Sequence, residues 1–94
     1  PENFGYMSGA IKYFLDEIYY DCLEKKEGVP YAIYVKAGND GTVAIVNIEK
    51  ILSGLSFKKI QDPVLVVGDL DKIALSRCEE LGHLKAAGLI EMIF

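Results

Sequence analysis

Two short segments, each directly after a proline and built almost entirely of apolar residues, constrain the fold of this chain most. They are Tyr31–Val35, with the sequence YAIYV, and Val64–Val67, with the sequence VLVV. β-Branched and aromatic residues dominate both, and a continuous apolar run of this length is typical of a strand buried on both faces. Such strands occur in parallel sheets that carry helices on both sides. The chain is therefore predicted to have an α/β fold.

Helical signals precede the first strand and follow the second. Ser8–Glu27 is predicted as a helix, because Ser8 suits the N-cap position and Gly28 suits the position after the last turn. Its apolar residues recur with the period of a helix face: Ile11, Phe14, Leu15, Ile18, Cys22 and Leu23. A last helix of about twenty residues is predicted after Asp69 or Asp71. Its inner face is predicted at Leu70, Ala74, Cys78, Leu81 and Leu84 or Lys85, with Gly82 and Gly88 as points of close packing and Ile93 and Phe94 as a docked apolar tail.

The segment Thr42–Ser53 between the strands has two interpretations. Its first residues, TVAIVNI, are β-branched and alternate weakly, which favours a strand paired in a hairpin around Asp40-Gly41. The helical alternative places its apolar residues on one face, with Asp40 or Thr42 as the cap. Those apolar residues are Ala44, Ile48, Ile51, Leu52 and Leu55.

Composition excludes several classes of function. The 94 residues make one small domain at most, with a net charge of −4 and a pI of about 4.9 that argue against nucleic-acid binding. No apolar run approaches the length of a membrane span. Cys22 and Cys78 are interpreted as small hydrophobic residues of a reducing, cytoplasmic compartment, although a disulfide between them stays open.

Residues that could carry catalysis or bind a metal are few. His83 is the sole histidine and lies within a predicted helix. The two cysteines lack the spacing of a zinc site. Asp69 and Asp71 could form a metal-binding pair, but capping of the last helix explains them more simply. No catalytic or metal-binding residue is therefore predicted.

A loop with two aromatic residues leads into the first helix. It begins PENFGYMSG, where Gly5 and Gly9 allow backbone angles that a Cβ would block, and Phe4 and Tyr6 supply the rings. Free backbone amides, rings and a helix N-terminus can together hold a flat ligand with polar edges. A plain helix entry, with Phe4 packed in the core, is the simpler alternative.

This stretch resembles the flavin-ring loop of flavodoxin-like NAD(P)H-dependent FMN reductases, in which a Pro-x-x-aromatic-Gly-x-Met-Ser-Gly loop precedes a helix. The matching residues are Pro1, Phe4, Gly5, Met7, Ser8, Gly9, Lys12, Phe14, Leu15 and Asp16. The resemblance implies FMN as cofactor, NAD(P)H as co-substrate, and a quinone, free flavin or other molecule as acceptor. It implies a ring-binding site at Pro1, Glu2, Asn3, Phe4, Gly5 and Tyr6, and a second loop at the ring edge formed by Gly38, Asn39, Asp40 and Gly41. An ordinary surface turn is the alternative for the second loop.

The resemblance spans residues 1–94 but only the C-terminal half of a flavodoxin-like, FMN-binding domain. It implies a three-layer parallel sheet of strand order 2-1-3-4-5, of which the chain would supply α-β-α-β-α and lack the N-terminal strands. It also favours the helix over Thr42–Ser53. The Ser/Thr- and Gly-rich loop that holds the flavin phosphate has no match, and Asp40 would repel a phosphate. The chain alone is therefore expected to bind FMN weakly and to be inactive, as a fragment of such an enzyme.

Two parallel strands do not make an independent sheet, because each has an open edge and the apolar faces lack cover. We therefore expect a partner that completes the sheet: the missing N-terminal half, a second chain or a symmetry mate, with a homo-oligomer as the expected form. The start at Pro1, inside a loop, is interpreted as the sign of a partial piece. The alternative function is a non-catalytic, partial flavodoxin-like module that acts by assembly with a partner or with itself.

Overall fold

The computed structural model describes residues 1–92 and shows short strands and three helices within them. In chain order the elements are β1 (Glu2–Asn3), β2 (Tyr6–Met7), α1 (Gly9–Cys22), β3 (Pro30–Tyr31), β4 (Tyr34–Ala37), α2 (Thr42–Gly54), β5 (Lys58–Lys59), β6 (Val64–Val67) and α3 (Lys72–Ile90). The α/β class is confirmed. No helix within residues 1–92 is both long and apolar enough to cross a membrane.

The centre of the fold is a parallel two-stranded ribbon. β4 pairs with β6 from Tyr34 opposite Val64 to Ala37 opposite Val67, and β3 pairs with β5 in the same direction. Between these pairs, the Ile60 N–H donates to the Tyr31 carbonyl at 3.2 Å. Residues 30–37 therefore run alongside residues 58–67, with one interruption just before β4 and β6.

Side chains alternate between the two faces of this ribbon and build two hydrophobic clusters. The cluster on the side of α1 and α2 contains Met7, Leu15, Tyr31, Ile33, Val35, Ala44 and Leu52. The cluster on the side of α3 contains Val64, Val66, Ala74 and Leu81. Because neighbouring strand residues point to opposite faces, Val35 joins the first cluster while Val64 and Val66 join the second. Helices thus cover both faces, as the apolar strands predict.

The prediction for the first strand is wrong in two respects. The segment Tyr31–Val35 is split between β3 and β4, and the second strand continues to Ala37. Tyr34 is 74% exposed, whereas burial on both faces was predicted. The reason is that Tyr34 alternates with Val35 and so faces the side of α3, and α3 packs mainly on β6 rather than on β4.

The first helix begins as predicted but ends early. The Ser8 hydroxyl oxygen accepts a hydrogen bond from the Ile11 N–H at 3.3 Å, which confirms Ser8 as the N-cap. The helix stops at Cys22 rather than Glu27, because Leu23 leaves helical geometry and Glu24 adopts a left-handed φ of 61°. Gly28 lies in the turn beyond and does not end the helix.

The ambiguous segment is the helix α2, which excludes the hairpin alternative. Its N-cap residue is Gly41, with a φ of 82°, so neither Asp40 nor Thr42 caps it. The Asp40 carboxylate instead accepts a hydrogen bond from the Thr42 hydroxyl at 2.9 Å. The connection to β6 contains the two-residue strand β5.

The last helix agrees with the prediction at its start. The Asp71 carboxylate accepts a hydrogen bond from the Ala74 N–H at 2.8 Å, so Asp71 and not Asp69 is the cap. Of the predicted inner face, Ala74 and Leu81 are buried, and Cys78 and Lys85 are partly buried. Leu70 and Leu84 are exposed, so Lys85 is the correct choice of the last pair. Close packing is not found at Gly82, where a Cβ would meet nothing within 4 Å, whereas Gly88 is buried. Ile93 and Phe94 lie outside the described residues.

Gly41 offers a test of how tightly α2 packs on the ribbon. A Cβ there would lie 2.6 Å from Leu65 Cδ1 and 2.8 Å from Ala37 Cβ, at a φ that disfavours side chains. We expect Gly41→Ala to lower the free energy of unfolding by about 2–4 kcal/mol. Gly68→Ala has a positive φ but open space and should cost about 1 kcal/mol. The free energies of unfolding are measured in urea, with Gly38→Ala as a neutral reference. Equal values for the three variants would contradict this packing.

Candidate functional site

The aromatic loop is a tight hairpin. β1 and β2 pair antiparallel, with Asn3 opposite Tyr6, and the turn residues Phe4 and Gly5 have φ values of 52° and 75°. Positive φ at both central residues is the signature of a type I′ turn. The Glu2 carboxylate accepts a hydrogen bond from the Gly5 N–H at 2.9 Å and closes the turn. Pro1–Tyr6 is therefore an ordered structure rather than a plain helix entry.

Phe4 is the unusual residue of this hairpin. Its side chain is fully exposed at 107%, so the alternative in which Phe4 packs in the core is wrong. A left-handed φ costs a residue with a Cβ roughly 1–2 kcal/mol. No burial of the ring offsets that cost. An exposed ring held in an unfavourable backbone conformation is the kind of outlier that clusters at ligand sites.

The base of the hairpin is anchored in the core and packs against the two elements that flank the second predicted loop. Met7 is buried in the first cluster beside Val35 and Ala44. The hairpin contacts β4 through β1 and α2 through β2. These are the two elements that Gly38–Gly41 connects. The hairpin therefore lies against both elements that the second loop joins, and that loop follows the carboxyl end of β4.

The second loop presents polar groups at its tip and a tightly packed base. Gly38, Asn39 and Asp40 are exposed, whereas Gly41 is buried against the ribbon. The Asp40 carboxylate stands at the start of α2 and contacts the Thr42 hydroxyl. A negative charge at this helix N-terminus opposes the binding of a phosphate there.

A third loop at this edge was not predicted as part of the site. Gly68–Asp71 follows β6, whose last residue Val67 pairs with Ala37. Because the two strands are parallel and in register, this loop and Gly38–Gly41 leave the ribbon side by side. Asp69 and Leu70 are exposed on it. The sequence interpretation treated the loop as a helix cap, with a metal-binding pair as the less simple alternative. The position of the loop after a parallel strand was the signal that could have associated it with the site.

A cavity of about 370 Å³ opens between the hairpin, α1, α2 and β4. Met7, Ile11, Phe14, Leu15, Ile33, Val35, Ala44, Ile48 and Leu52 are among its lining residues. Ser8 and Tyr34 are the lining residues with polar side chains, and the Ser8 hydroxyl already caps α1. A small polar ligand would find few groups to orient it, so the cavity suits apolar side chains better.

The charged pairs of the structure lie on helix and strand surfaces. Asp16 accepts a hydrogen bond from Lys12 on α1 and raises the pKa of that ammonium. Glu49 likewise raises the pKa of Lys59, at 3.1 Å, and burial is the main cause of the raised pKa of nearby Tyr31. Among residues 1–92, no three potential metal ligands lie together.

Comparisons of the chain with protein-family models, with curated proteins and with solved structures gave no match. The assignment of a function therefore depends on the hairpin and the two loops beside it.

The strain at Phe4 can be measured directly. Phe4→Asn would give the Asn-Gly pair that type I′ turns prefer, and no side-chain packing would be lost. We expect the free energy of unfolding to rise by about 1 kcal/mol. Phe4→Ala keeps a Cβ at the same φ and should leave stability nearly unchanged. The free energy of unfolding of each variant is measured by chemical denaturation and compared with that of the unaltered chain. A lower value for Phe4→Asn would show that Phe4 is not strained.

Proposed function

We propose that this chain is part of an FMN-dependent NAD(P)H oxidoreductase and supplies the loops that line the isoalloxazine ring. The observation that carries the proposal is the Phe4 ring, fully exposed at the tip of an ordered hairpin and held at a left-handed φ. An aromatic side chain in this position can stack on a flat ring. The proposal includes a flavodoxin-like fold, of which the chain is the C-terminal half, and a cytoplasmic location.

Bound flavin would accept a hydride from NAD(P)H and pass electrons to a quinone, free flavin or another acceptor. The chain's own groups would bind and orient the ring. Phe4 and Tyr6 supply aromatic surface, and the exposed backbone of Gly38 and Asn39 offers hydrogen-bonding groups for its polar edge. No side chain of the chain acts as an acid or base in this proposal.

The residues fit the ring of the cofactor but not its phosphate. Asp40 at the start of α2 would repel a phosphate instead of binding it. The phosphate of FMN would then be held by groups other than those at the start of α2. This chain by itself should therefore bind FMN weakly and lack turnover.

A second role, assembly with a partner that completes the sheet, has its own support. β4 has a hydrogen-bonded neighbour on one side only, among the residues described, and Tyr34 on this strand is exposed. The partner would be the missing N-terminal half of the domain, a second chain or a symmetry mate in a homo-oligomer. A cooperatively folding monomer with native packing, seen by ultracentrifugation and thermal unfolding, would contradict this role.

The ring-binding role is tested with riboflavin, which has the ring but no phosphate. Riboflavin fluorescence should be quenched by the chain, and Phe4→Ala should weaken binding by about fivefold or more, the range expected for loss of one stacking contact. Tyr20→Ala is the matched control, because Tyr20 is an exposed aromatic residue on α1. The ring-binding role is wrong if the Phe4→Ala and Tyr20→Ala variants bind riboflavin with equal affinity. It is also wrong if the unaltered chain leaves riboflavin fluorescence unquenched.

Because Asp40 would repel a phosphate, we expect this chain to bind FMN no more tightly than riboflavin. Asp40→Asn should improve FMN affinity by about two- to fivefold, because it removes a charge at a helix N-terminus, and should leave riboflavin affinity unchanged. Asp62→Asn is the control, since Asp62 lies at the opposite end of the ribbon from this loop. FMN binding that exceeds riboflavin binding tenfold in the unaltered chain would mean that a phosphate site is present after all.

A further inference from the structure

A cleft of about 500 Å³ lies between α1, α2 and the hairpin. It is a different feature from the 370 Å³ cavity, because among residues 1–92 the two share only Leu15 as a lining residue. Leu15 is buried and Ile51 half-buried at the base of the cleft. The lining residues fall between positions 6 and 51, so these walls are formed without either end of the chain.

Three tyrosine residues converge on this cleft from two parts of the chain. Tyr6 comes from the hairpin, whereas Tyr19 and Tyr20 come from the C-terminal half of α1. The Tyr19 and Tyr20 rings stand at 84° to each other, with 5.4 Å between their centroids. Tyr19 reaches across to α2, where its hydroxyl oxygen lies 3.0 Å from the position that a Cβ would take at Gly54. The cleft therefore has aromatic residues on more than one side.

Core packing does not explain all three rings. Packing against α2 accounts for Tyr19, which is half-buried. Tyr20 is 79% exposed and Tyr6 is 37% exposed, so burial of these two rings contributes less hydrophobic stabilisation. Several aromatic rings around one cleft, with a carboxylate at its border, are the arrangement that binds alkylated ammonium ions.

The cleft already holds a positive charge. The Lys12 ammonium donates a hydrogen bond to the Asp16 carboxylate, and both residues line the cleft. That bond is the main cause of the raised pKa of Lys12, and the neighbouring Tyr6 contributes to it. An exposed ion pair between residues one helical turn apart holds its partners only weakly. A cation from solution can therefore replace the ammonium beside Asp16.

The charge of α1 and the nature of the rings favour one class of cation. The helix carries one lysine and three carboxylates, of which Asp16 lines the cleft. A lysine ammonium is compact and strongly hydrated, so it loses much of its hydration on entry among rings. An alkylated ammonium spreads its charge over apolar methyl groups, which can contact several ring faces at once. The cleft is therefore better suited to an alkylated ammonium than to a second lysine.

We propose that this cleft binds a small organic cation with an alkylated ammonium group. Tyr6, Tyr19 and Tyr20 contact its methyl groups, and Asp16 supplies the opposite charge. This inference goes beyond the binding of a flat ring by the hairpin, because the ligand is a cation and Phe4 does not line the cleft. It also makes no use of a partner that completes the sheet.

The probe is choline, compared with the neutral analogue in which a carbon atom replaces its nitrogen. Choline should bind with a Kd of about 1–10 mM, the range expected for a few cation–π contacts at a partly exposed site. Binding is measured by NMR, from the upfield shift of the choline methyl protons and from the shifts of the tyrosine ring protons. The neutral analogue has the same shape and should bind about fivefold more weakly or worse.

A first pair of variants tests the aromatic wall. Tyr20→Ala should weaken choline binding by about three- to fivefold, and the exposure of Tyr20 makes loss of the fold an unsuitable explanation. Tyr13→Ala is the matched control, because Tyr13 is 67% exposed on the same helix and does not line the cleft. Tyr6 stays unaltered, since it also belongs to the proposed ring site. The choline result is thereby independent of the riboflavin titration.

A second set of variants tests the charges. Asp16→Asn should weaken choline binding by about threefold or more, whereas Asp21→Asn, on the same helix but outside the cleft, should change it by less than about twofold. Lys12→Gln removes the competing ammonium and should tighten choline binding by about two- to fivefold. A merely structural role of the ion pair predicts no such gain.

Several outcomes would overturn the proposal. They are no choline binding at about 50 mM, equal binding of the neutral analogue, or equal effects of Tyr20→Ala and Tyr13→Ala. A trimethyllysine residue with blocked termini is the last probe, because it carries the same head group on a peptide backbone. If it binds more than about tenfold more tightly than choline, the ligand is a modified side chain and the assignment to a free small molecule is wrong. Similar affinities of the two probes support the assignment.

Discussion

The parallel pairing of β4 with β6 is the interaction on which the rest of the structure depends. It fixes Tyr34 opposite Val64 and Ala37 opposite Val67, and this register sends Val35 to one face and Val66 to the other. The pairing requires α2 as a crossover and α3 as cover for the second face. It also brings the loops after both strands to one end. The two cores and the neighbouring positions of these two loops therefore follow from one register.

Much of this fold is encoded locally and could be predicted. The strand Val64–Val67 and the caps at Ser8 and Asp71 follow from short signals that need no distant partner. The early end of α1 could not be predicted, because Glu24 adopts a left-handed conformation for which its side chain gives no signal. The exposure of Tyr34 also escaped prediction, since its sequence is that of a central strand while its place within the described residues is at an edge.

The candidate site was predictable in its residues but not in its conformation. The sequence interpretation selected Phe4 and Gly38–Gly41, and the structure places the hairpin that carries Phe4 against β4 and α2, the two elements that Gly38–Gly41 joins. Gly5 is a turn signal, but Phe4 beside it is not a residue that a type I′ turn selects. The hairpin forms because Met7 is buried at its base and Glu2 closes the turn, which are tertiary and side-chain effects. The Gly68–Asp71 loop needed the strand register before it could be associated with the site.

Two features lower the stability of the isolated chain, the strained turn at Phe4 and the open edge of β4, and they lie on neighbouring parts of it. Phe4 has an unfavourable φ at the tip of the hairpin. Within residues 1–92, β4, which that hairpin contacts, has a paired neighbour on one side only. A domain of this size has only a few kcal/mol of net stability from which such costs can be met. A ligand that binds only the folded state adds to that stability in proportion to the logarithm of its concentration. Because the hairpin packs against β4, a strand that orders this edge would also hold the hairpin. Completion of the sheet and any binding at the hairpin would therefore strengthen each other, because the coupling between two sites is reciprocal.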